Sequence, residues 1–303
     1  MARRGNLESW EYCDKILAEA WQDEKPRLVT ADVLLGIFEE GAETEVAVPL
    51  DEVFASPRPS GLGRQADRLL GGGLWPGEVA EVYGAPGAGK TQLGLCLAMH
   101  AASSGIAVHY LTNKDPPAIL ARRLQTLALA REEVTVTAEI LLDKIRISDM
   151  ADFTAFARLM THALARPESM PGLIVLDGLS VLLSPFTSAT SWSHRWRLTW
   201  SWRMLRQLAM AGCCVVLLSH TAGSMGTSQL ALGQQWSHAA SVRLELSRPL
   251  AGNALRLCLR KSCRQQLCQT TDGGDEVDNA LSADLIIDEA GIHVSSSMAN
   301  PRP

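Results

Sequence analysis

The sequence predicts an α/β protein with a mostly parallel central sheet flanked by helices and antiparallel strands on its C-terminal side. Three observations carry that expectation. Between residues 61 and 219, short apolar runs alternate with segments of helical periodicity, the pattern of a parallel sheet covered on both faces. Residues 81–102, EVYGAPGAGKTQLGLCLAMHAA, read as strand, glycine-rich turn and helix. Further on, the apolar strand of residues 172–176 closes on an acid, Asp177.

Composition bounds the rest. A chain of 303 residues holds one large α/β domain plus a small appendage. Hydrophobic residues at 47% and charged residues at 20% are ordinary for a globular chain. No apolar run is long enough to span a bilayer, so no membrane partner is expected. The opening MARRGNLESWEYCDK lacks the apolar segment of a secretory signal. The seven cysteines are odd in number and scattered. Cys213 and Cys214 read as buried free thiols. Cys258, Cys263 and Cys268 are evenly spaced but not with the spacing of a zinc site. This usage points to a reducing compartment. The net charge of −5 argues against coating nucleic acid by bulk electrostatics, so any DNA contact must come from a local patch.

Taken in order, residues 8–23 have helical spacing, with Trp10, Cys13, Ile16, Leu17 and Ala20 on one face, and Pro26 ends the helix. Residues 28–38 read as a short extended piece followed by a helical turn or two. Residues 39–59 turn acidic, then proline- and serine-containing, as a linker does. From Gly61 the main domain begins. Strands are expected at 79–83, 105–111, 144–148, 172–176 and 212–219. Helices are expected at 92–102 and 118–130, and again where Phe153, Phe156, Met160 and Ala163 share a face. Residues 241–246, 254–260 and 283–287 read as antiparallel strands, with an acidic loop at 272–278.

The chemistry concentrates at the end of the first strand. Gly84, Ala85, Pro86, Gly87, Ala88, Gly89, Lys90 and Thr91 fit the phosphate-loop pattern at every fixed position. Glycines let consecutive N–H groups turn toward one concavity, and the following helix points its positive end at the same place. Lys90 would reach the outer phosphates, and the Thr91 hydroxyl would sit on Mg²⁺. A bare pattern match can be accidental, but the strand–loop–helix setting that the motif requires is present here. Ligands of such sheets bind at the carboxyl ends of the strands, where Asp177 also lies. An acid in that place, downstream of a phosphate loop, holds Mg²⁺ directly or through water; the bland alternative is an acid capping a turn.

Two other stretches admit two readings each. In residues 184–202, Trp192, Trp196 and Trp200 share a helix face, with His194, Arg195 and Arg197 among them. They fit single-stranded nucleic acid through stacking and charge, or else core or subunit packing with solvated arginines. His220 closes the last buried strand and either senses a γ-phosphate or is a satisfied strand-end histidine. The loop after it, residues 221–233, has no lysine or arginine. Arg260, Lys261 and Arg264 form a basic knot that reaches a neighbouring subunit's nucleotide or is simply a charged hairpin.

Together these motifs resemble the RecA-type recombinase superfamily, specifically the eukaryotic strand-exchange recombinases and their paralogs. Ser60-Gly61-Leu62-Gly63, Asp67-Arg68-Leu69-Leu70-Gly71-Gly72-Gly73-Leu74 and Gly77-Glu78-Val79 are similar to that family's lead-in to its phosphate loop. Residues 84–93 (GAPGAGKTQL), Leu176-Asp177-Gly178 with Leu183-Ser184-Pro185, residues 231–239 (ALGQQWSHA) and 261–265 (KSCRQ) resemble the paralogs' versions, of the C or D type. Lys15-Ile16-Leu17-Ala18-Glu19-Ala20 looks like the last helix of the recombinase N-terminal domain. Leu28-Val29-Thr30-Ala31 stands where family members carry the Phe-x-x-Ala segment that binds the next subunit. Leu28 replaces the aromatic there, which gives a smaller anchor.

The resemblance implies a RecA-like P-loop ATPase core at residues 60–295. Before it, residues 1–59 would hold a remnant of the N-terminal helical domain plus a linker, and residues 296–303 a disordered tail. It implies ATP and Mg²⁺ as cofactors, with Gln92 and His220 added to the phosphate-loop residues in the nucleotide site and Thr91 and Asp177 on the metal. It implies subunit contact through Leu28 and Ala31; on the nucleic-acid reading of residues 184–202, DNA contact would run through His194, Arg195 and Arg197. Its setting would be homologous recombination in the nucleus, in a hetero-oligomer with other paralogs and the recombinase, on single-stranded DNA. One departure stands out. The family's catalytic glutamate follows the second strand, and Lys114 occupies that position, flanked by Asn113 and Asp115. A lysine does not accept a proton from water at neutral pH unless its pKa is strongly lowered. Asp115 could act beside Lys90 only after a one-residue shift, so the motifs support ATP binding better than fast DNA-dependent hydrolysis. His220 also stands where recombinases commonly carry Gln.

Overall fold

A computed structural model describes residues 57–130, 138–186, 192–222, 229–230, 236, 240–248, 254–263, 282–288 and 291–294. All belong to the compact unit spanning Ala55–Pro303. The strands are β1 (Val79–Gly84), β2 (Val108–Thr112), β3 (Ile145–Asp149), β4 (Leu173–Asp177), β5 (Cys214–Ala222), β6 (Gln229–Leu230), β7 (Val242–Ser247), β8 (Ala254–Ser262), β9 (Ser282–Asp288) and β10 (Gly291–Val294). The helices are α1 (Arg64–Leu69), α2 (Lys90–Ser103), α3 (Pro117–Ala130), α4 (Ala138–Asp143), α5 (Phe153–Leu164), α6 (Leu179–Leu183) and α7 (Trp192–Met210).

The sheet runs β10-β9-β8-β7-β1-β5-β4-β2-β3, with β6 pairing β5 off that path. From β7 to β3 the neighbours are parallel, and from β7 to β10 they are antiparallel. Residue pattern explains the division. β1, β2 and β4 are buried at every position, as strands covered on both faces must be. β7 and β8 alternate buried with more exposed residues, the mark of a one-sided antiparallel region. β7 is therefore the junction: residues 242–247 lie parallel to β1 on one side and antiparallel to β8 on the other, where the sequence suggested antiparallel pairing alone.

Helix α2 is buried on nearly all sides, with Leu93, Leu95, Cys96, Leu97, Ala98 and Met99 inside. Gly94 lets it approach the sheet, since a Cβ there would meet Leu218 Cδ1 at 2.7 Å. Helix α5 begins at an N-cap, Asp152, whose carboxylate accepts from the Ala155 N–H at 2.7 Å. It buries Phe153, Phe156 and Met160 of the expected face together with Ala157, while Ala163 is only partly buried. That face receives α7: Trp200 stands edge-on to Phe153 and Phe156 at centroid distances of 5.7 and 6.2 Å. β10, which the sequence reading did not include, pairs Gly291 with Asp288 and donates the Ile292 N–H to Cys96 Sγ at 3.2 Å, so it packs on α2. No helix among the described residues is long and apolar enough to cross a membrane.

His109 faces Ser148 across the β2–β3 pair, with Nε2 2.8 Å from Oγ. Burial, with Arg146 and His162 nearby, lowers its pKa from 6.5 to about 4. The unfolded imidazole thus takes up a proton at a pH where the folded one stays neutral. Its contribution to stability is complete above pH 6.5 and is lost as pH falls toward 4. His109→Gln is expected to flatten the fall in stability between pH 6.5 and 4 by on the order of 2 kcal/mol, read from urea unfolding at each pH. An unchanged slope would place the acid sensitivity elsewhere.

Candidate nucleotide site

The carboxyl ends of β1, β5, β4 and β2 lie side by side. Gly84 pairs with His220, and Asp177 lies between Leu218 and Thr112. This is the edge where an open parallel sheet takes its ligand. Ala85, Pro86 and Gly87 form an exposed lip, and the turn closes with the Ala88 N–H donating to the Ala85 carbonyl at 3.2 Å. Gly89 caps α2 at φ +93°, a backbone state that glycine adopts without strain. Among the described residues, the N–H groups of Gly87, Gly89, Lys90 and Thr91 meet no acceptor. These are the orphan donors of a helix start, and they favour an anion.

Lys90 is 4% exposed, and its Nζ donates to the carbonyls of Gly84 at 2.8 Å and Ala85 at 2.7 Å. Burial, reinforced by the Lys114 ammonium and opposed by Asp177, lowers its pKa to about 8. Asp177 is 1% exposed and fully engaged. Its Oδ2 accepts from the Thr91 hydroxyl at 2.6 Å and from the Tyr110 hydroxyl at 3.1 Å, and its Oδ1 accepts from Lys114 Nζ at 2.6 Å. Burial and the neighbouring Asp177 push the Tyr110 phenol well above its ordinary value, so it stays a donor. His220 takes the Ser180 hydroxyl as acceptor for its N–H at 3.3 Å, and its Nδ1 is buried without a partner. Burial together with Lys114 and Lys90 lowers its imidazole to about 4 and keeps it neutral.

These residues fit a triphosphate. The free amides, the Lys90 ammonium and the unpartnered His220 Nδ1 supply donors or polar contacts at one edge, and a Cβ at Gly87 would meet nothing within 4 Å. Thr91 and Asp177 are the hydroxyl and carboxylate that would hold its Mg²⁺. When bound, that ion would neutralise phosphate charge.

The structure thus brings Lys90, Thr91, Asp177 and His220 together, with Gly84 to Gly89 as their frame. Gln92, in the first turn of α2, accepts from Arg123 Nη2 at 2.8 Å. Asp115 is not at Asp177: its carboxylate is 41% exposed and 3.8 Å from Arg123 Nη1, while Lys114 turns inward. Arg197 lies with its Cζ 5.6 Å from the Phe153 ring centroid, and burial lowers its pKa. His194 and Arg195 belong to the first turn of α7, but their side chains lie outside the described residues, as do Leu28 and Ala31. Sequence reasoning missed Tyr110 as a partner of Asp177. A phenol in the middle of an apolar strand was the available signal, because a buried hydroxyl seeks an acceptor.

Comparison with known proteins agrees with this geometry. A family described as an AAA domain matches residues 58–224. The chain is 30% identical to the bovine (Bos taurus) DNA repair protein RAD51 homolog 4 over 227 residues, 70% of this chain and 69% of the relative. It is 34% identical to the DNA repair and recombination protein RadB of Halobacterium salinarum over 123 residues, 40% of this chain and 48% of the relative. It is 32% identical to the DNA repair protein rhp55 of Schizosaccharomyces pombe over 148 residues, 46% and 41% respectively.

Two glycines separate scaffold from cradle. A Cβ at Gly84 would overlap the Leu246 carbonyl oxygen, whereas one at Gly87 meets open space at φ +77°. Gly84→Ala is expected to lower folding stability by about 2 kcal/mol or more. Gly87→Ala should cost about 1 kcal/mol through backbone strain alone. Thermal melts of the two variants check the order, and equal losses would contradict it.

Proposed function

Since the chain belongs to the RAD51 paralogs of the RecA-type recombinase family, we propose that it is an ATP-binding paralog of homologous-recombination repair that hydrolyses its nucleotide slowly. The observation that carries this reading is the clustering of Lys90, Thr91 and Asp177 beside the unpaired amides of the glycine turn, with a lysine rather than an acid on Asp177. A general base must accept a proton from the attacking water, and an ammonium paired to Asp177 at 2.6 Å does not. Asp115, the substitute, is turned to Arg123.

We place the protein in the nucleus, in a hetero-oligomer with other paralogs, where it assists assembly of the recombinase on single-stranded DNA. In this reading Leu28 and Ala31 add a strand to the sheet of a neighbouring subunit. His194 and Arg195, at the start of α7, contact the DNA in this reading. Arg197 contributes less because its guanidinium rests on Phe153, and Trp200 packs edge-on against Phe153 and Phe156. A non-hydrolysing adaptor is the second reading, and the closed Lys114–Asp177 pair favours it over a self-sufficient strand-exchange ATPase.

Binding and turnover of ATP, with and without single-stranded DNA, test the proposal. The wild type is expected to bind ATP with turnover well below once per second, beneath the usual enzyme range. Lys90→Ala should weaken binding by about tenfold or more through loss of a charge-assisted contact. A wild type that binds no ATP, or DNA-stimulated turnover abolished by Asp115→Asn, would overturn it.

A further inference from the structure

The pairing of Lys114 with Asp177 has a meaning beyond slow hydrolysis. Asp177 is the carboxylate proposed for the metal, yet both of its oxygens are already occupied, and one of them by a cation. Lys114 is held where it is. Its N–H donates to Thr112 Oγ1 at 3.2 Å, and the preceding Asn113 N–H donates to the Asp177 carbonyl at 3.3 Å. Its side chain is 21% exposed and its ammonium is held against the buried Asp177 carboxylate. The charged groups nearest Asp177 are Lys114 and Lys90, with neutral His220 beside them, and the Asp115–Arg123 pair acts on Tyr110 from further out. Two ammonium groups therefore face one carboxylate. A divalent cation entering beside Thr91 at Oδ2 would meet a carboxylate whose other oxygen already holds an ammonium, with the Lys90 charge also nearby. A triphosphate entering here meets both ammoniums at once.

We propose that the Lys114 ammonium is a built-in cation of this site, holding Asp177 Oδ1 while Thr91 holds Oδ2 and neutralising part of the charge of a bound triphosphate, so that nucleotide binding depends only weakly on Mg²⁺. The inference rests on the ATP-binding reading above. It assigns Lys114 a binding role at the position where the resemblance expects a general base.

The test is equilibrium binding of a fluorescent ATP analogue to the full chain, in Mg²⁺ and in EDTA, for the wild type and for Lys114→Met. The wild-type Kd is expected to change less than about fivefold on removal of Mg²⁺, and the ratio for Lys114→Met to be at least about threefold larger. A second reading needs no nucleotide. Mg²⁺ alone should raise the melting temperature of Lys114→Met, where Asp177 has lost its cation, and leave the wild type unmoved. Should Lys114→Met fail to fold, the wild-type ratio and melt decide. A wild-type change above fivefold, equal ratios in the two proteins, or a wild-type melt raised by Mg²⁺ overturns the inference while ATP binding stands. No binding under any condition overturns the reading beneath it.

Discussion

Asp177 is a carboxylate withdrawn from water, and its charge is answered from three directions. Thr91 comes from the first turn of α2, Tyr110 from the middle of β2, and Lys114 from the turn that follows β2. A buried carboxylate without such partners would be costly or would take up a proton. The clasp therefore joins the helix after the glycine turn to two strands at the edge where parallel sheets take their ligands. It also sets the electrostatics there, because the ammonium that satisfies Asp177 is among the causes that lower the pKa of Lys90 and of His220.

A second set of charges steadies the same loop from the other side. β1 is buried throughout, yet it carries Glu81, which is 3% exposed. Arg243, its register partner on β7, donates to Glu81 from Nε at 2.8 Å and lies with its Cζ 4.7 Å from the Tyr83 ring centroid. Glu245 with Arg260, and Arg256 with Asp284, extend the row outward along the more exposed face. These outer pairs are exposed and contribute little individually. The inner pair fixes β7 against β1, and the Leu246 carbonyl then closes over Gly84 where the loop begins. The turn of the sheet from parallel to antiparallel at β7 thus supports the site directly.

Much of this was legible in the chain. The periodicity of α5 and α2, the apolar runs of β1, β4 and β5, and the spacing from Gly84 to Thr91 are local signals, and local signals survive without tertiary context. The short helices α1, α4 and α6 were not foreseen, because five or six residues give too few turns to show a period. β10 was missed for a similar reason, since residues 291–294 make a strand only by pairing with β9. The tryptophan row left two readings open. Three residues four apart define a helix face, but nothing in their spacing says that Phe153 and Phe156 will meet Trp200.

By itself the sequence determined the class of fold, the strand–loop–helix unit and the acid at the end of β4, because each is written in neighbouring residues and in the chemistry of glycine, lysine and carboxylate. It also showed a lysine where the resembling family has an acid. Which way that lysine turns was decided only in three dimensions. β2 and β4 are neighbours in the sheet with Thr112 opposite Asp177, so side chains 63 residues apart in the chain come within an ion pair of one another. Asp115, one residue on, is carried toward Arg123 instead.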